Sequence, residues 1–194
     1  MRRAFAGAAV AALALCGALA AVAGPSERPP VAASTTASNA ASAPAPSAAP
    51  FNPTDAAWLQ LLAPMTEQNI RLAELTANRA TAPDLRALAA EIAGSHRGEL
   101  ARLHELTRLG GVTGDNPHTG HDMPGFTTAT EYAEAERAGG TDFDRLAVQH
   151  LREYLDQSVR LADSESAAGS APAARRLAAD LRRARAAELA RLGP

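Results

Sequence analysis

Lysine is absent from this chain, and cysteine occurs once, at Cys16. Every basic residue is an arginine, and alanine, glycine and proline are abundant. The lysine gap therefore reads as a mark of GC-rich coding rather than of function. A lone cysteine excludes an intrachain disulfide and a multi-thiolate metal site. If Cys16 leaves with a leader, any metal must be held by histidine, methionine or carboxylate. Also missing are a phosphate loop, a dinucleotide fingerprint, a zinc-protease motif and a nucleophile beside a base. Hydrolase and transferase chemistry thus have no support, and the protein is expected not to be an enzyme. The formal net charge is only −2, and without Arg2 and Arg3 the 17 remaining arginines face 21 acidic residues, which leaves −4. Bulk charge therefore gives no footing for nucleic acid.

What is present begins with an export signal. Arg2 and Arg3 precede an apolar stretch over residues 4–21, and Ala21-Val22-Ala23 offers a small-residue cleavage site, so residues 1–23 read as a signal peptide. The stretch falls short of the ~20 strongly apolar residues of a spanning helix, and no transmembrane segment is expected after cleavage. A lipid anchor on Cys16 needs a small residue just before the cysteine, where Leu15 stands. Cleavage after Ala23 is the expected processing, with the mature protein secreted or associated with the cell envelope. Residues 24–51 are Pro, Ala, Ser and Thr with almost no large apolar side chain, a composition that cannot order itself and reads as a flexible linker. About 140 residues remain, enough for one domain at 52–194 with a modest core.

Within that domain the chain repeats itself. Residues 62–103 align with residues 151–192 at a constant offset of 89 and without a gap, and about sixteen of the 42 positions are identical. Arg71-Leu72-Ala73 matches Arg160-Leu161-Ala162, and Ala82-Pro83 matches Ala171-Pro172. Glu99-Leu100-Ala101-Arg102-Leu103 likewise matches Glu188-Leu189-Ala190-Arg191-Leu192. Each copy reads as one helical hairpin. The first helix starts at Asn52-Pro53-Thr54-Asp55, with a cap residue, a first-turn proline and an acid. It carries Trp58, Leu61, Leu62, Met65 and Leu72 on one face to about residue 80, interrupted by Asn69. The second starts at Thr81-Ala82-Pro83-Asp84, presents Leu85, Leu88, Ile92, Glu99, Leu103 and Leu106, and stops at Gly110-Gly111. The third, at about 141–166, carries Phe143, Leu146, His150, Leu151, Tyr154 and Leu161; the fourth carries Leu177, Leu181, Glu188 and Leu192. A long connection at 112–140 contains one short helix, marked by the capping box Thr128-Ala129-Thr130-Glu131. The expected fold is all-α: a ferritin-like four-helix bundle of two duplicated hairpins joined by a long crossover.

Asp55-Ala56-Ala57-Trp58, the segment 62–73, Phe143-Asp144-Arg145-Leu146 and Met123-Pro124-Gly125-Phe126 lie on the frame of a known pattern. Over residues 52–192 the chain resembles the exported ferritin-like bundle proteins of the domain of unknown function 305 family. That resemblance implies metal handling, copper above all, through paired histidines in each half. Here the pairs are Met65-Thr66 and Tyr154-Leu155, and the neighbouring Gln positions are His96 and Arg185.

Two sets of residues remain as candidate metal ligands. In the core, Glu99 and Glu188 point inward by their spacing from Ile92, Leu103, Leu181 and Leu192, and inward carboxylates need compensation. A copper or zinc ion held by Met65, His96 and Glu99 would supply it. So would Arg185, one turn before Glu188, as a structural charge pair. The second set is the loop His118-Thr119-Gly120-His121-Asp122-Met123, whose imidazoles and thioether suit Cu(II), Cu(I) or Zn(II). His104 and His150 read as lone histidines, His150 as a hydrogen-bonded core or boundary residue. The arginines of the fourth helix read as a solvated face. Two functions stay open: a residual metal binder of the cell envelope, or a metal-free scaffold that meets an envelope partner.

Overall fold

The structure is a computed structural model, and it describes residues 51–118 and 122–193. The expected signal peptide, the linker up to residue 50 and Cys16 lie outside the described residues. Five helices follow in order: α1 (Pro53–Arg79), α2 (Pro83–Leu109), the short α3 (Ala129–Arg137), α4 (Gly140–Ala168) and α5 (Pro172–Leu192). All regular structure among the described residues is helical.

The helix starts follow local chemistry. Asn52 caps α1: its side-chain oxygen accepts the Asp55 N–H at 2.9 Å, and the Asp55 carboxylate accepts the Asn52 N–H at 2.5 Å. Thr128 and Glu131 form the same box at α3. The helices α2 and α5 start at Ala82 and Ala171, whose side chains cannot cap, and the missing acceptors come from the opposite half of the repeat. Asp144 at the start of α4 accepts the N–H groups of Thr81 at 2.8 Å and Ala82 at 3.0 Å, and the Thr81 hydroxyl at 2.5 Å. Asp55, exactly one repeat earlier at the start of α1, accepts the N–H groups of Ser170 at 3.1 Å and Ala171 at 3.0 Å, and the Ser170 hydroxyl at 2.9 Å. Each hairpin turn is thus tied by the first turn of the other hairpin. These ties fix direction: α4 starts where α1 ends, so α1 and α4 run antiparallel, and so do α2 and α5.

Helix α1 packs on α2 and α4, and α5 packs on α4 and α2, while α3 lies against α4. The four long helices form a square in which every neighbouring pair is antiparallel. The end of α2 and the start of α4 lie at opposite ends of helices ~40 Å long, which is why the connection must travel the length of the bundle. Part of it grips the bundle closely. Met123-Pro124-Gly125-Phe126 makes a type II turn closed by the Phe126 N–H on the Met123 carbonyl at 3.0 Å, with Pro124 at its second position and Gly125 at φ +84°. A Cβ on Gly125 would run into Gln157 Cβ at 2.6 Å and Met65 Cε at 2.7 Å.

The apolar core falls into two ends and a waist. At one end Trp58, Leu59, Leu62, Leu103, Leu106, Leu177 and Leu181 pack together; at the other, Leu72, Leu85, Leu88, Ile92, Phe143 and Leu151. Between them Met65, Tyr154 and Leu155 form a small third cluster. Leu61, Leu146, Leu161 and Leu192, expected on inward faces, are only half-buried, whereas Ala147 and Ala162 on α4 are fully buried alongside Leu151, Tyr154 and Leu155. Small residues there allow the helices to approach closely.

A second buried carboxyl sits beside Asp55. Burial works against the Asp55 charge, yet hydrogen bonds led by the Asn52 N–H hold its pKa down to about 2. Glu165 is fully buried, and burial, followed by its side-chain contact with Asp55 and then the Asp55 charge, pushes its pKa up to about 8. One carboxyl of this pair is ionised and the other neutral at pH 7.

Candidate functional site

At the waist, side chains from all four long helices meet in one polar network. Arg185 on α5 is 1 % exposed and lies between the two inward carboxylates. It donates to Glu99 Oε2 on α2 at 2.5 Å and to Glu188 Oε2 on its own helix at 3.2 Å. Its NH2 group also donates to the Tyr154 hydroxyl on α4 at 3.2 Å. The remaining proton directions follow from donor chemistry. The Thr66 hydroxyl gives its proton to the Leu62 carbonyl at 2.7 Å, so it accepts from Tyr154 at 3.0 Å. A directed chain therefore runs from Arg185 through Tyr154 and Thr66 to the backbone of α1.

His96 forms the other arm. Asn69 Nδ2 donates to His96 Nδ1 at 2.8 Å, which leaves the proton on Nε2, facing Glu188 Oε1 at 3.2 Å. Glu99 Oε2 stands 4.0 Å from the same nitrogen. Burial, and then the nearby Arg185 charge, lower the His96 pKa against the opposing pull of Glu188 and Glu99, so the ring is neutral at pH 7. For Glu188 burial opposes ionisation, but His96 and Arg185 outweigh it and lower its pKa. His96 and Tyr154 lie with ring centroids 5.5 Å apart. Within the network Asn69 Oδ1 and Arg185 Nε have no hydrogen-bond partner among the described residues.

The repeat relates these groups in pairs: Met65 with Tyr154, Asn69 with Ser158, His96 with Arg185, and Glu99 with Glu188. Each pair keeps its place and changes its chemistry, except for the glutamates. Of the residues expected from sequence, the structure brings His96, Glu99, Arg185 and Glu188 together. Met65 is buried in the same layer but packs on Tyr154 and Leu155 without a polar contact to the network among the described residues. The residues that spacing did not assign to the site are Tyr154, Thr66 and Asn69. Asn69 carried a signal as the polar break in an apolar stripe, and Tyr154 as the residue standing at a histidine position of the family frame.

A resident cation bound by Met65, His96 and Glu99 does not fit this donor set. His96 Nδ1 is already an acceptor, Nε2 is turned to Glu188, and the space between the carboxylates holds a guanidinium. An ion there would face a fixed positive charge at close range.

The loop candidates are described only in part. His118 is half-buried, and its N–H bonds Asn116 Oδ1 at 2.9 Å. His121 lies outside the described residues. Met123 lines a cleft of about 410 Å³ with Asp122, Phe126, Glu131, Glu153 and Arg160, among others, and His118 is not part of that lining. His104 is exposed and pairs with Glu67 at 3.3 Å. His150 is buried, and its Nδ1 faces Glu153 at 3.3 Å. The arginines Arg175, Arg176, Arg182, Arg183 and Arg191 are exposed, and several pair with acids, such as Arg182 with Asp163 at 2.5 Å.

Among the described residues no helix is long and apolar enough to cross a membrane. Residues 55–193 match the sequence profile of a family described as "Domain of unknown function (DUF305)". No curated protein matches the chain. Two solved structures share the fold. One is a DUF305 protein of Streptomyces coelicolor, assigned as secreted, with a TM-score of 0.64 and 20% identity over 75% of this chain and 90% of that one. The other is a DUF305 fragment of Deinococcus radiodurans, with a TM-score of 0.62 and 17% identity over 74% of this chain and 95% of that one.

Proposed function

This chain belongs to the DUF305 family, and from that premise we propose an exported, non-catalytic bundle of the ferritin-like kind, whose core carboxylates are neutralised by an internal guanidinium instead of a metal. The observation that carries the reading is Arg185, almost fully buried and within hydrogen-bond reach of both Glu99 and Glu188. Of the two functions open from the sequence, this favours the scaffold over a residual copper binder at the core. Export is supported by the first 23 residues and by the secreted assignment of the Streptomyces coelicolor relative. The non-catalytic reading is supported by a network with every catalytically useful group engaged: a neutral His96 held at both nitrogens, a Tyr154 hydroxyl between two partners, and carboxylates closed on an arginine. The bundle then serves as a rigid body presented to a partner in the cell envelope.

The test is the NMR signal of the His96 ring during titration with Cu(I), Cu(II) and Zn(II). The reading predicts that His96 stays unshifted at one equivalent of each metal. A stoichiometric shift or loss of that signal overturns it.

A further inference from the structure

A different cluster lies on the face that α3 covers. Among the described residues, Glu131, His150 and Glu153 bring one imidazole nitrogen and two carboxylate oxygens within 4.8 Å of one another. The elements place them for separate reasons. Glu131 is the third residue of α3 and caps it with one oxygen only: Oε2 accepts the Thr128 N–H at 2.7 Å and the Thr128 hydroxyl at 2.9 Å. The other oxygen accepts nothing among the described residues. His150 and Glu153 stand three apart on α4, so they share a face, and α3 packs against that helix.

Three observations point to a ligand here. His150 is 4 % exposed, and its one hydrogen-bond contact among the described residues is Nδ1 to Glu153 Oε2 at 3.3 Å. That separation also matches the edge of a tetrahedron with metal bonds of ~2.0–2.1 Å, so the two atoms could serve one zinc-sized ion without moving apart. Two carboxylate oxygens also lie within 4.8 Å of the ring nitrogen and of each other, and a cation held among them would relieve their mutual repulsion. The cleft of about 410 Å³ beside them is lined by Asp122, Glu131, Glu153 and Asp156 against a single guanidinium, Arg160. It leaves room for an ion to enter with its water.

We propose that Glu131, His150 and Glu153 form a surface site for a divalent first-row cation, with Zn(II) the best match to one imidazole and two carboxylates. Three protein ligands leave a fourth position open to water or to an anionic group of a partner. The site goes beyond the reading of the core and shares no residue with it. By bridging α3 to α4, the ion would tie the crossover connection to the bundle.

The probe is zinc chloride, titrated calorimetrically into the whole chain and into Glu131→Gln/Glu153→Gln. Glutamine keeps the capping box of α3, and Glu153 is about half exposed, so the double variant retains the fold. The expected result is one zinc bound by the parent, at least tenfold weaker binding by the double variant, and a zinc-dependent rise in melting temperature confined to the parent. His150→Gln should lose binding as well, and Arg185→Met should keep it, which separates this site from the core. Undetectable zinc binding, binding unchanged in the double variant, or binding lost in His118→Ala instead overturns the proposal.

Discussion

Replacing Arg185 with alanine removes the one cation between Glu99 and Glu188 and leaves both carboxylates facing a hole. Their side chains are 14% and 12% exposed, so water can solvate them only in part. The guanidinium also donates to Tyr154, whose own bond to Thr66 orients the layer. Breaking a buried pair by deleting one partner costs about 3 to 5 kcal/mol. In a domain of roughly 140 residues, each kcal/mol lowers the melting temperature by ~3–4 °C, so Arg185→Ala should melt ~10–20 °C below the parent. Most of this cost is uncompensated charge rather than lost attraction. Arg185→Met combined with Glu99→Gln and Glu188→Gln should therefore recover more than half of it, since neutral groups of similar shape replace all three ions. Circular dichroism melts at low and high salt give both numbers, and the loss should persist at high salt because the pair is shielded from solvent ions. A single variant melting within ~3 °C of the parent, or a triple variant no more stable than the single one, would refute the reasoning.

Three further perturbations probe the frame around the network. Asp144→Ala strips the N-terminus of α2 of the one side-chain acceptor it has among the described residues and should cost about 1–2 kcal/mol, with faster amide exchange at Thr81 and Ala82; a change under ~0.5 kcal/mol would contradict the exchanged caps. Glu165 keeps its proton in the fold up to about pH 8 but ionises near 4.5 when exposed, so the folded state holds the extra proton between those values and stability falls as pH rises through them. Glu165→Gln should remove that slope, gaining about 2–4 kcal/mol more at pH 8 than at pH 5 in urea unfolding, and an unchanged pH dependence would count against it. Gly125→Ala forces a side chain into φ +84° and against Gln157 and Met65; it should destabilise by about 2–4 kcal/mol, measured by urea midpoint, and a neutral result would show that the turn sits farther from the bundle.

Much of the fold could be read along the chain because its signals are local. Asn52-Pro53-Thr54-Asp55 starts α1, Thr128 with Glu131 starts α3, and Gly110 ends α2. The constant offset of 89 announced two equivalent hairpins. It did not reveal that Asp55 and Asp144 are exchanged, each capping the other half's turn, since a cap supplied from 62 or 116 residues away leaves no mark in sequence. Heptad spacing turned Glu99 and Glu188 inward, as found. Spacing could not choose between an ion and Arg185, because that depends on how α2 and α5 are offset along their axes. His150 was legible as a buried histidine, but its meeting with Glu131 depends on where the crossover lays α3. Glu165 escaped notice because its repeat partner is Thr76, an ordinary polar residue bonded to its own helix at 2.7 Å.

The central claim is that a guanidinium, not a metal, occupies the space between the core carboxylates. A crystal of the whole chain grown with excess copper or zinc and measured at that metal's absorption edge tests it directly. The account predicts no anomalous peak among His96, Glu99 and Glu188, with Arg185 density reaching both carboxylates. An anomalous peak at that position, with Arg185 turned away, would contradict it.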